Sequence, residues 1–164
     1  MGIFDLILNA FGRNPDDDAF KKGEKFENYT ESFFPASHYG LVEKTHDSKT
    51  NKKRFIESSL KPDFKFRDKK TNKCFYVEAK YRSRMVNGKI EWCKSIDQLR
   101  RYQEYNNECP VFILIGYEGK PSRPHFVFLI PLTAAKYTSL YFEILEPYRI
   151  KFEGAVISRE LWNR

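Results

Sequence analysis

Apolar side chains at positions 3, 4, 7, 8 and 11 recur at helical spacing, which predicts an amphipathic helix within residues 1–14. Asn14-Pro15 breaks it, and Asp16, Asp17 and Asp18 then favour a new helix start, where carboxylates meet exposed amides and the positive end of the dipole. Phe20, Gly23, Phe26, Thr30 and Phe33 follow at steps of three and four, carrying this helix to about Phe33, and Pro35 stops it. Period two takes over across roughly 39–45, 61–67 and 74–82, predicting three strands, with a charged connection around Ser48 to Arg54. Asn87-Gly88, set between Arg84-Met85-Val86 and Lys89-Ile90-Glu91-Trp92, predicts a tight hairpin because both turn residues tolerate positive φ. A helix is expected from about Ser95 to Asn106, with Ile96, Leu99 and Tyr102 on its buried stripe. Val111 to Tyr117 is almost continuously apolar and reads as a strand buried on both faces. Phe126 to Ile130 is a second such run, joined to the first through Glu118-Gly119-Lys120-Pro121. The last thirty residues mix signals, with a short helix expected near Ala134 to Leu140 and edge structure after it.

The order helix, three strands, helix, strand, strand predicts an α/β sandwich, with residues 15–164 as a single domain behind the N-terminal helix. The chain has 164 residues, 15 Phe and 10 Tyr, enough to bury a real core and too apolar for overall disorder. Its net charge of +7 is uneven, since residues 44 to 100 hold 17 Lys and Arg against 7 Asp and Glu. A basic centre favours an anionic partner rich in phosphates, although a solvated basic surface has the same composition. Cys74, Cys93 and Cys109 are odd in number and lack metal-ligand spacing, so neither a disulfide framework nor a zinc site is expected. His38, His46 and His125 are scattered singles. The absence of a bilayer-length apolar run or a convincing leader predicts no membrane partner and a reducing, cytoplasmic setting.

The chemistry concentrates in Lys61-Pro62-Asp63-Phe64-Lys65-Phe66-Arg67 and Cys74-Phe75-Tyr76-Val77-Glu78-Ala79-Lys80-Tyr81-Arg82. Alternation gives each strand one apolar and one ionic face: Phe64 and Phe66 oppose Asp63, Lys65 and Arg67, while Phe75, Val77, Ala79 and Tyr81 oppose Tyr76, Glu78, Lys80 and Arg82. Closing the hairpin through residues 68–73 pairs Arg67 with Cys74 and brings Asp63 opposite Glu78, with Cβ atoms about 4.5–5.5 Å apart. Facing carboxylates repel unless one is protonated or a cation lies between them. Hard oxygen ligands without Cys or His suit Mg²⁺ or Mn²⁺, and Lys80 beside Glu78 could orient or help deprotonate a bound water. A surface ladder of Asp63, Lys65, Glu78 and Lys80 is the competing reading.

Pro62-Asp63, a gap of fourteen residues and Glu78-Ala79-Lys80 resemble the signature of the PD-(D/E)xK nuclease superfamily. The element order around them resembles its restriction-endonuclease-like core, a three-layer α/β fold with a central mixed β-sheet flanked by helices. The resemblance implies that Asp63, Glu78 and the Ala79 carbonyl hold a metal and that Lys80 positions the attacking water. It also implies an acid on the preceding helix, for which Glu27 is chosen over Glu24 and Glu31 because it borders the buried stripe. Gln98 and Tyr102 lie four apart on one helix face and resemble the QxxxY motif of the RecB-like branch, so Gln98 joins the expected site. Tyr102 is read equally well as core.

The expectation is a Mg²⁺-dependent deoxyribonuclease, with Mn²⁺ able to substitute, acting on DNA as an endonuclease. Lys65, Arg67, Lys69, Lys70, Arg82, Arg84, Arg100 and Arg101 are the candidate backbone contacts, with Lys94 beside them. A Holliday-junction resolvase resembles this chain in size, basicity and core layout and would need a homodimer with two sites, while a restriction or defence-associated endonuclease is equally compatible. The reading from a different class is a nuclease-like module without catalysis that binds DNA or protein.

Overall fold

The computed structural model describes residues 15–45, 60–151 and 153–164. The expected N-terminal helix and the Ser48 to Arg54 connection lie outside them. Helix α1 spans Pro15–Glu31, β1 Tyr39–Lys44, β2 Phe64–Asp68, β3 Cys74–Arg82 and β4 Lys89–Glu91. Helix α2 spans Ile96–Glu108, β5 Val111–Lys120, β6 Arg123–Pro131 and β7 Ser139–Tyr141. Short helices α3 (Phe142–Leu145) and α4 (Ser158–Trp162) follow, with a 3₁₀ turn at Glu146–Tyr148 between them.

Five strands form a mixed sheet in the order β1-β2-β3-β5-β6. Only β3 and β5 run parallel, joined by a crossover that contains β4 and α2. The sheet buries both faces, which explains the uninterrupted apolar run of β5: Val111 to Tyr117 are all buried. On one face Phe26, Phe33 and Phe34, from α1 and the turn after it, pack with Phe64, Phe66, Phe75, Phe112 and Leu161. On the other, Leu99 and Tyr102 of α2 pack with Ile90, Trp92, Ile113, Ile115 and Phe128. The result is the expected three-layer α/β core.

Gly116 fixes the approach of α1. A Cβ there would stand 2.4 Å from the Phe26 ring, so only glycine lets the helix lie this close to β5.

Several expectations need correction. The Asn87-Gly88 turn forms with both residues at positive φ, but Val86 and Lys89 make only a single bridge. Strand β4 pairs instead with β7, because the C-terminal chain returns beside it. The helix expected near Ala134 to Leu140 is a turn leading into that strand. Ile96 is 62% exposed, since it opens α2 immediately after the Ser95 cap and lies off the packed stripe. Cys74 and Cys109 are joined in a disulfide, against the expectation of none. The parallel register sets Tyr76 beside Val111, so residues two positions earlier on each segment become neighbours. Spacing along the chain does not reveal that adjacency. Among the described residues no helix is long and apolar enough to cross a membrane.

Candidate active site

The β2–β3 ladder runs in the predicted register, with Arg67 paired to Cys74 and Phe64 to Val77. Asp63 is the first residue beyond it. There the chain leaves the ladder, and backbone amides and carboxylates interlock across the gap. The Asp63 amide donates to Glu78 Oε2 at 3.2 Å, and the Ala79 amide donates to Asp63 Oδ2 at 2.8 Å. Lys80 Nζ lies 2.5 Å from Glu78 Oε1.

The face carrying Glu78 is not the solvated ionic face that alternation suggests. Helix α2 and strand β4 cover it, leaving Glu78 1% exposed and Tyr76 4% exposed. A carboxylate buried this far requires donors. It has three: the Asp63 amide, the Lys80 ammonium and the Tyr102 hydroxyl.

These contacts shape the electrostatics. Asp63 keeps some surface contact with solvent, but protein crowds it from every side, and burial is the main force raising its carboxyl well above the usual range. The Glu78 charge raises it further and Glu27 adds to this, while Lys80 and the Ala79 amide oppose them. Burial pulls the Lys80 ammonium downward, yet the Glu78 and Asp63 charges outweigh burial and leave it above its ordinary value. Lys80 is therefore a charged donor in this arrangement. Burial, followed by the same two carboxylates, pushes the Tyr102 hydroxyl upward, so it stays protonated and can donate.

Glu27 is half-buried on α1, and its charge reaches Asp63. Glu24 is exposed, and Glu31 pairs with Lys44 at the edge strand. Gln98 is committed to protein contacts. Its Nε2 donates to the Tyr102 hydroxyl at 3.1 Å, while its Oε1 accepts from the Lys94 amide at 3.1 Å. Tyr102 is thus both core and part of the site's support, and the four-residue spacing is the only sequence signal for that link.

The basic candidates divide into two groups. Lys65 bonds Glu108 at 2.5 Å and lies over the Tyr76 ring, Lys69 bonds the Ala36 carbonyl, and Arg82 donates to the Tyr81 carbonyl. Arg67 donates to Asn72, and Arg100 lies near Asp97 while remaining exposed. Lys70, Arg84 and Lys94 are exposed and without an ion-pair partner among the described residues. Arg101 is half-buried with its Nε unpartnered. Tyr76 is buried with its hydroxyl on Glu108, so its ring is not available for stacking on a base.

Among the described residues no cluster of three or more His, Cys, Asp or Glu is arranged to hold a metal ion. Mg²⁺ does not require such a cage, because it commonly uses one or two carboxylates and completes its shell with waters and substrate phosphates. Asp63 and Glu78 supply hard oxygens in a spot where mutual repulsion already favours a cation. The residues present fit a small divalent ion.

The chain matches no family model and no curated protein. Among solved structures it is similar to Archaeoglobus fulgidus Hjc, a Holliday junction resolvase from an archaeal hyperthermophile. The TM-score is 0.55 at 10% identity, over 78% of this chain and 94% of that one. At that identity the likeness concerns the fold: this chain shares the mixed-sheet α/β architecture of that resolvase.

Proposed function

We propose that this protein is a metal-dependent nuclease that hydrolyses DNA phosphodiesters, as an endonuclease, at Asp63, Glu78 and Lys80. The observation that carries the reading is the convergence of these three ionisable groups at the end of one hairpin, with Asp63 driven toward protonation by burial and by Glu78. An array that costly to bury suits a cation better than a purely structural role. The similarity in fold to a Holliday junction resolvase supports the same reading.

Asp63, Glu78 and the Ala79 carbonyl would hold Mg²⁺ or Mn²⁺. Such an ion, when bound, supplies an activated water and charge neutralisation at the scissile phosphate. Glu27 would hold a water from the α1 side. Lys80 donates to and orients groups at Glu78 and does not act as the base, because its neighbours keep it charged. Tyr102, braced by Gln98, fixes the Glu78 carboxylate. Exposed Lys70, Arg84, Lys94 and Arg100 would meet the phosphate backbone. A four-way junction as substrate would call for two such sites, hence two copies of the chain.

The test is incubation of supercoiled plasmid, single-stranded DNA and a four-way junction with the purified protein, with and without Mg²⁺ or Mn²⁺. Asp63→Ala and Lys80→Ala are run in parallel. Metal-dependent cleavage lost in both variants is expected. Cleavage unchanged in both would remove these residues from the site. Tight, salt-sensitive binding without cleavage would favour the non-catalytic module.

A further inference from the structure

A cavity of about 500 Å³ opens at the opposite end of β2 from Asp63, lined by Ser37, His38, Asp68, Lys69, Lys70 and residues 157–159. Of its lining, the proposed function uses only Lys70, as a backbone contact. The C-terminal segment that forms one wall is held firmly in place. Asp68 is 1% exposed, and its carboxylate accepts from the Lys70 amide at 2.9 Å, Thr71 Oγ1 at 2.8 Å, Ser158 Oγ at 2.5 Å and Trp162 Nε1 at 2.7 Å. The Lys69 amide donates to the His38 carbonyl at 3.0 Å, and the Tyr39 hydroxyl to the Val156 carbonyl at 2.6 Å. Three stretches of chain far apart in sequence are thereby locked around one space.

The lining is cationic. Lys69, Lys70 and Arg159 bring three positive charges against the one buried carboxylate, whose oxygens four donors already occupy. Glu160 turns back toward the Ile157 amide. Lys69 is anchored on the Ala36 carbonyl, whereas Lys70 and Arg159 have no ion-pair partner among the described residues. Ser37 Oγ and His38 Nδ1, 2.8 Å apart, add polar groups on the other wall. Ile157, 41% exposed, gives an apolar strip beside the charges.

We propose that this cavity binds a phosphate oxyanion of a DNA backbone, with Lys70 and Arg159 on the phosphate and Ile157 against the neighbouring sugar. The volume exceeds a bare phosphate and accommodates a nucleotide unit. Asp63 and Asp68 are five residues apart along an extended chain, a span of about 17 Å at roughly 3.3 Å per residue. That is about five base-pair steps at roughly 3.4 Å each, so one duplex can reach both places. The proposal rests on the DNA-binding part of the nuclease reading and not on cleavage.

Binding of a fluorescent 20-base-pair duplex is measured by anisotropy in EDTA, where hydrolysis plays no part. The Lys70→Ala/Arg159→Ala variant is compared with Lys120→Ala/Arg123→Ala, which removes the same charge at the β5–β6 turn. The side chains of both replaced cations are exposed and make no ion pair among the described residues, and the Lys70 amide that bonds Asp68 is kept by the alanine, so the fold is expected to be retained. The cavity variant is expected to lose about tenfold in affinity, and its log K against log salt slope to fall by about two. The control is expected to change less than threefold. Equal losses in the two variants, or none in the first, would overturn the proposal. Amide resonances of Lys70 and Ser158, followed by NMR in the wild-type chain, identify the source of the phosphate. They should shift with duplex; a shift with inorganic phosphate and none with duplex would make the ligand a free phosphate and overturn the DNA assignment.

Discussion

Glu78 shows how one residue changes meaning when its neighbours are known. By alternation it belongs to a hydrated face, but folding makes it a buried anion with three donors, and removing one donor leaves the others with charge to satisfy. Tyr102 is the cleanest donor to test, because Tyr102→Phe keeps the ring packed against Trp92 and deletes only the hydroxyl. We expect a stability loss of about 1–2 kcal/mol. We also expect cleavage to slow about tenfold at unchanged substrate affinity, read from single-turnover rates at saturating DNA. A slower rate due entirely to weaker DNA binding would place Tyr102 in the core alone.

At the level of elements, α1 and the C-terminal helix α4 lock the sheet from the same side. Gly116→Ala drives a methyl group into the Phe26 ring, which α1 must relieve by moving, carrying Glu27 with it. The cost expected from such overpacking is about 1–3 kcal/mol, visible as a lower urea midpoint with an unchanged slope. Helix α4 is tied down by Asp68. Burial opposes ionisation of that carboxyl, but the hydrogen bonds from Ser158, Trp162, Thr71 and Lys70 outweigh it and lower the pKa to about 2 from an ordinary 3.8. A carboxyl depressed on folding stabilises fully above its unfolded value and loses that contribution as the pH falls toward its folded value. Stability should therefore drop by roughly 2 kcal/mol between about pH 4 and pH 2. Asp68→Asn should flatten that part of the profile in acid denaturation followed by Trp fluorescence.

The same elements show what the sequence could reveal. The β2–β3 register was legible because turn length and alternation fix it together, and Asp63, Glu78 and Lys80 came with it. The boundaries of β3 and the burial of β5 were legible for similar local reasons. The disulfide, the β4–β7 pairing and the bonds from Asp68 to Ser158 and Trp162 were not. Each joins segments between 35 and 94 positions apart, and no local periodicity encodes which distant partner arrives. Burial of the ionic face was hidden for a related reason: the strand pattern looks half-polar, and nothing local in it shows that α2 covers those polar positions.

Over the whole molecule, the excess of Lys and Arg along residues 44–100 and the buried pair of Asp63 and Glu78 are the two features that the proposed function joins. On the proposed reading such a field would attract a phosphate backbone, and the carboxylate pair would hold the cation that acts on it. Asp63 and Glu78 are proposed to hold a divalent ion jointly, and titration of Mn²⁺ into the full chain, read by the loss of the free-ion EPR signal, asks this without DNA or cleavage. Saturable binding to the wild-type protein is expected, weakened at least tenfold in Asp63→Asn and unaffected in Lys70→Ala. Equal Mn²⁺ binding by the wild-type chain and Asp63→Asn, or none by either, would contradict it.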